Sequence, residues 1–194
     1  ACTAWLLRAG VPGWPLIPAP VRIVLGVLAL WLAWLAVVQA RILGINFLLS
    51  VLTLVWVADI FAYFAGRAFG LRFTRNKLAP SISPGKSWEG VWGGLAGVLC
   101  LAVAWVAADR YFQADVASFY TRLYSAGWWF LAIAVVFMVA MSVAGDLVES
   151  LIKRSAGVKD SSGLLPGHGG VLDRVDALLP TLPLALMLTR LISV

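Results

Sequence analysis

Long apolar runs alternate with shorter polar ones along this chain. Residues 21–40, VRIVLGVLALWLAWLAVVQA, are apolar at nearly every position, and a second run over 44–66 follows after a turn around Arg41 and Gly44. Further runs cover 90–108, 127–147 and 174 to the end. Each approaches the roughly 20 residues that an α-helix needs to cross the hydrocarbon core of a bilayer. Residues 1–20 hold Pro12, Pro15, Pro18 and Pro20 with Trp5 and Trp14, a pattern that suits an irregular interfacial entry segment anchored by aromatic rings. Between the second and third runs lies a basic connection, 67–89, in which Pro80 and Pro84 argue against a continuous helix. The pattern therefore predicts an all-α, polytopic membrane helix bundle with about five transmembrane helices, formed by residues 1–194 as one membrane-embedded domain.

Composition agrees. Of 194 residues, 62% are hydrophobic and 12% charged, about half the charged share of an ordinary soluble domain. The net charge of +6 does not point to nucleic acid, because the basic residues sit in loops between apolar runs, where topology and lipid phosphates account for them. With a cytoplasmic N-terminus, eleven of the fifteen Lys and Arg fall on one side, and only Arg41, Arg110, Arg122 and Arg190 on the other. Short-loop basic residues stay preferentially in the cytoplasm, so both polar loops are expected there, at the plasma (inner) membrane if the source is bacterial. Cys2 and Cys100 lie too far apart in sequence to suggest a metal site or a disulfide framework. The first residue is not Met and no secretion signal follows, so the chain is read as processed or truncated, with helices missing before it.

Chemistry-bearing residues collect in a few places. The fourth run ends SVAGDLVESLIKR, which on a helix puts Asp146, Glu149, Ser150 and Lys153 on one face. Two readings stand: a surface for metal and phosphate, or a solvated helix end with an internal Glu149–Lys153 pair. Asp146 favours the first, since its charge is expensive near lipid without a partner. Asp173 and Asp176, three apart at the start of the fifth run, would repel each other unless a cation lay between them. An oxygen-liganded Mg2+ would resolve this, although helix capping also accounts for Asp173. In the segment between, Gly163, Gly167, Gly169 and Gly170 allow a backbone that approaches an anion, with Lys153, Arg154, Lys159 and Arg174 to neutralise it. His168, the only histidine, either hydrogen-bonds a phosphate or base or holds the loop together. Asp59 in the second run is either paired with Tyr63 or a basic residue, or a further site ligand. PGKSWEG at 84–90 offers Lys86, Ser87 and Glu89 as a second wall for a polar head group or nucleotide, but lacks the first glycine of a Walker A loop. Gly90, Gly93, Gly94 and Gly97 form two overlapping GxxxG patterns, suited to an intramolecular helix contact or a homodimer.

The run Ser150-Leu-Ile-Lys153-Arg154, then Lys159-Asp160, then LPGHGGVLDRVD ending at Asp176, resembles the signature of the phosphatidate cytidylyltransferases over 27 residues. WVADIFAYFAGRAFG, SPGKSWEG and GDLVES resemble the same family, so the likeness covers roughly 50–190. It implies transfer of the cytidylyl group of CTP to phosphatidic acid, giving CDP-diacylglycerol and pyrophosphate, with Mg2+ required and room for a second cation. It also implies that the metal-holding acids correspond to Asp146 and Asp173, with Asp176 close by, and that Lys153, Lys159 and Arg174 handle phosphates. Asp146, Lys153, Asp173 and Asp176 are thus the candidate catalytic residues. Asp59, Lys86, Ser87, Glu89, Ser150, Arg154, Lys159, Asp160, His168, Gly169, Gly170 and Arg174 are the candidates for substrate binding. A CTP-dependent polyprenol or phytol kinase is the nearest rival. A channel would need polar residues through the full membrane depth, whereas these gather toward one side.

Overall fold

The computed structural model describes residues 10–74, 77–164 and 170–192. A 3-10 turn at Val11–Leu16 leads into α1 (Ala19–Leu43), α2 (Ile45–Phe69), α3 (Trp88–Tyr111), the short α4 (Phe119–Ser125), α5 (Trp128–Ser155), the single-turn α6 (Leu172–Val175) and α7 (Leu178–Ile192). Among the described residues five segments are long and apolar enough to cross a membrane, the last being Leu172–Ile192. The protein is an all-helical integral membrane protein. α1 and α3 extend beyond the apolar runs at both ends, and α2 and α5 at the C-terminal end, because backbone hydrogen bonding continues past the residues that the hydrocarbon requires to be apolar.

Gly44 makes the sharp turn between α1 and α2 at φ 136°, and a Cβ there would lie 2.6 Å from the Val116 side chain. The tightest seam joins α2 to α3. Added Cβ atoms at Gly90, Gly93, Gly94 and Gly97 would meet Ala62 O at 2.9 Å, Ala65 Cβ at 2.1 Å, Ala58 O at 2.8 Å and the Phe61 ring at 2.5 Å. In lipid, where no hydrophobic force gathers helices, this close backbone approach supplies the packing energy. The glycine stripe is therefore committed inside the chain, which removes the sequence argument for a homodimer.

The connection 109–126 holds more structure than its polar composition suggests. Ser118 caps α4 by accepting from Thr121 N, and Phe119, Tyr120 and Leu123 are fully buried in the main core beside Phe47, Leu54 and Met138. Burial pushes the Tyr120 phenol above its ordinary pKa. Asp109, at the end of α3, ties these pieces together. It accepts from Asn46 Nδ2 (2.8 Å), Ser118 N (3.0 Å) and Thr121 Oγ1 (2.5 Å), while Asn46 Oδ1 accepts from Trp105 Nε1 (3.0 Å). Replacing Asp109 by Ala strands three donors at once. The expected loss is about 2–3 kcal/mol, read as a lower midpoint for thermal unfolding in detergent.

A second, smaller cluster positions the loop before α3. Ile82 is buried against Leu147 and Leu151 of α5, with Leu78, Val143, Val11 and Trp14 around them. The opening segment is thus packed onto the bundle through the 3-10 turn, with Arg22 stacked 5.9 Å above the Trp14 ring; residues 1–9 of the expected interfacial segment lie outside the described residues. An isolated bridge between Ala79 and Ser83 and a hydrogen bond from Leu78 N to Lys86 O fold the loop back on itself. Ile82 acts as a plug, and the loop it fastens delivers Lys86 to α5.

Candidate active site

α2, the 78–87 loop, the start of α3 and α5 surround a cavity of about 530 Å³. Asp59, Tyr63 and Arg67 line it from α2, Lys86 and Ser87 from the loop, and Val143 and Asp146 from α5. Lys86 Nζ is hydrogen-bonded and ion-paired to Asp146 Oδ2, and Ser150 Oγ donates to Asp146 Oδ1 at 3.3 Å. Ser87 lines the cavity while serving as the N-cap of α3, its Oγ accepting from Gly90 N at 3.2 Å. Asp59 and Asp146 interact electrostatically with each other and with Asp176 at the end of α6, and Lys86 acts on both Asp59 and Asp176. Asp59 and Asp146 thus line the same cavity as Lys86, with Asp176 within electrostatic reach, although they come from helices that begin far apart in sequence.

Asp176 reaches this group because Gly145 lets the chain past. A Cβ on Gly145 would lie 3.0 Å from Asp176 O and 2.8 Å from Pro180 Cγ. Asp173 lies in α6 and Asp176 is its C-cap, and the two acids have different neighbours. Asp173 accepts from Lys153 Nζ (2.6 Å), Ser161 N (3.0 Å), Ser161 Oγ (3.0 Å) and Gly170 N (2.7 Å). It closes the polar loop onto the start of α6 without capping it, since α6 has no side-chain cap. Gly170 has no room for a side chain, its Cβ position being 1.9 Å from Ser161 Oγ.

Two turns beyond Asp146 on α5, Lys153 Nζ also lies 2.6 Å from Glu149 Oε2. This contact lacks hydrogen-bond alignment, and neither oxygen of the buried Glu149 has a hydrogen-bond partner. The internal Glu149–Lys153 pair read from the sequence is present, and extends to Asp173. The face that Glu149 shares with Asp146, Ser150 and Lys153 is legible in the sequence; its burial is not. Glu89, expected to face substrate, is instead buried and turned to its own chain: Oε1 accepts from Phe73 N, Thr74 N and Thr74 Oγ1 and so fixes the turn after α2. Arg154, Lys159, Asp160 and Arg174 are exposed around the same end of the bundle. His168 and Gly169 lie outside the described residues. Among the described residues no three of Asp, Glu, His and Cys stand ready as a metal-ligand set; Lys86 is paired with Asp146, and Lys153 with Asp173 and Glu149.

Fold and site together define a polytopic membrane protein with a charged cavity built from the ends of its helices. The chain belongs to the cytidylyltransferase family, whose profile matches residues 12–192. It is similar to proteins named phosphatidate cytidylyltransferase: 51% identical to that of Haemophilus influenzae over 140 residues, 72% of this chain and 44% of the relative. For Pseudomonas aeruginosa the identity is 46% over 164 residues, 84% of this chain and 55% of the relative. For Thermotoga maritima it is 40% over 146 residues, 75% and 49%. The chain spans about half the length of these relatives.

Proposed function

We propose that the protein transfers the cytidylyl group of CTP to phosphatidic acid, giving CDP-diacylglycerol and pyrophosphate, as a membrane-embedded nucleotidyltransferase of phospholipid synthesis. The observation that carries this reading is the cavity in which Asp59, Asp146 and Lys86 meet at the ends of apolar helices, in a chain of this family. In the reaction, an oxygen of the lipid phosphate attacks the α-phosphorus of CTP, and the bond to the bridging oxygen breaks so that pyrophosphate leaves with the electron pair. The nucleophile is already anionic at neutral pH, so no strong base is needed. The obstacle is repulsion between two anions, and fixed cations in a water-poor cleft lower it.

Lys86, held by Asp146, and Lys153, held by Glu149 and Asp173, are placed to take phosphate oxygens. The donor set suits a hard divalent cation such as Mg2+: all donors are carboxylate oxygens, and Asp59, Asp146 and Asp176, when ionised, exceed Lys86 by two negative charges. Asp146 and Asp176 would hold the ion, and Asp173 would join only by releasing its present donors. A bound Mg2+ would supply charge neutralisation for the triphosphate and the leaving pyrophosphate. The basic bias of the 67–89 and 153–174 connections supports a site facing the cytoplasm of a bacterial inner membrane.

The reading is tested with purified protein in detergent, Mg2+, phosphatidic acid, and CTP labelled separately at the α- and γ-phosphates. The α-label is expected in the lipid and the γ-label in free pyrophosphate. Transfer of the γ-label to lipid would replace this reading by a kinase, and no transfer by a folded chain would overturn it for this chain.

A further inference from the structure

The cations around the site differ in what already neutralises them. Lys86 is paired with Asp146, and Lys153 with both Glu149 and Asp173. Arg67 lines the same cavity, is exposed, and among the described residues forms no ion pair. Its one side-chain hydrogen bond among the described residues is from Nη1 to Tyr63 Oη at 3.2 Å. Asp59, Tyr63 and Arg67 follow at steps of four along α2 and form a single stripe down the cavity wall, while Ala62 and Gly66 beside them keep the space open. A guanidinium has five N–H donors in a planar fork; the bond to Tyr63 uses one and orients the rest.

We propose that Arg67, oriented by Tyr63, receives the phosphate group of the lipid substrate; this rests on the reading of the protein as a phosphatidate cytidylyltransferase. A phosphate group could also come from the nucleotide, since a guanidinium grips either bidentately. The lipid is favoured because the same turns of α2 carry Ile60, Phe61 and Phe64, each about half exposed or more, an apolar surface against which acyl chains lie while the head group reaches the cavity. Lipid phosphate would then meet the uncommitted cation at the rim, leaving Lys86 and the acids for the nucleotide end.

The test uses R67A, R67K and Y63F. Two quantities are read: KM for phosphatidic acid and for CTP, and equilibrium binding of dihexanoyl phosphatidic acid against dihexanoylglycerol, which lacks the phosphate. R67A is expected to raise KM for phosphatidic acid and weaken its binding about tenfold or more. KM for CTP, binding of the diacylglycerol and the unfolding midpoint should remain within about twofold of their unmodified values or unshifted. R67K should restore only part of the loss, because an ammonium has no fork, and Y63F should weaken binding about threefold. Phosphatidic acid binding unaffected by R67A, or a loss confined to CTP, would overturn the proposal. So would failure of the unmodified chain to prefer phosphatidic acid over diacylglycerol. If the unmodified chain binds phosphatidic acid but transfers nothing, the activity is what fails, and the binding comparison still decides the role of Arg67.

Discussion

Asp146→Asn is expected to lower cytidylyl transfer by about 10²–10³-fold, the loss seen when one preorganised charge contact is removed from a transition state. The substitution keeps the shape and the oxygen that accepts from Ser150 Oγ, but removes the charge that holds Lys86 and one of the three carboxylates that gather there. Lys86 would then be free to swing away from the phosphates, and a divalent cation would lose a ligand. Because Asp146 is half-buried rather than part of the apolar core, the protein should stay folded, with its unfolding midpoint within a few degrees of the original. Turnover within about twofold of the unmodified protein would show that the Lys86–Asp146 pair is only a strut for the 78–87 loop. The separately measured loss for Lys86→Ala then becomes informative: two residues acting as one unit give a double variant scarcely worse than either single one.

Gly94→Val attacks the bundle from within. Its Cβ would stand 2.8 Å from Ala58 O, a backbone atom that cannot turn aside as a flexible side chain would. The α2–α3 seam must open by several tenths of an ångström, and overpacking of this kind costs about 3 kcal/mol. The unfolding midpoint should fall by about 6–12 °C. Transfer should fall with it, because the cavity straddles the same two helices one to two turns away. Gly26→Ala is the control: nothing lies within 4 Å of that Cβ position, and both midpoint and activity should be unchanged. Equal effects at the two glycines would mean that the seam does not depend on close backbone approach.

The five spans were legible because lipid imposes a length on apolar runs. Their ends were less so: α5 reaches Ser155, eight residues past the apolar run, with Glu149 and Lys153 ion-paired along that extension. α4 was missed altogether. Seven residues give too short a pattern, and its burial depends on Asp109 and Ser50, which lie in other helices and accept from the backbone of residues 118 and 119. Within the site, helical spacing correctly joined Asp146 to Ser150 and Glu149 to Lys153. For Asp173 and Asp176 spacing gave their position but not their neighbours, because Lys153, Ser161 and Gly170, which surround Asp173, come from other segments. Glu89 looked like a site acid because it follows Lys86 and Ser87. Its partners at 73 and 74 come from a turn that composition does not reveal. Arg67 was counted as a topology signal, yet the steps of four from Asp59 through Tyr63 already put it on the cavity stripe.

The interruption between α6 and α7 bears on the bilayer as well as on the protein. The fifteen residues of α7 rise about 22 Å, against a hydrocarbon thickness of about 30 Å. The turns that would complete the crossing carry Asp173, Arg174 and Asp176. Leu172–Ile192 as a whole is long enough to cross, so its charged first turn comes to the depth at which the hydrocarbon begins. The charged turn thus stands at the level of the lipid head groups, where, on the proposed reading, a soluble nucleotide and a lipid phosphate meet without either crossing the apolar slab.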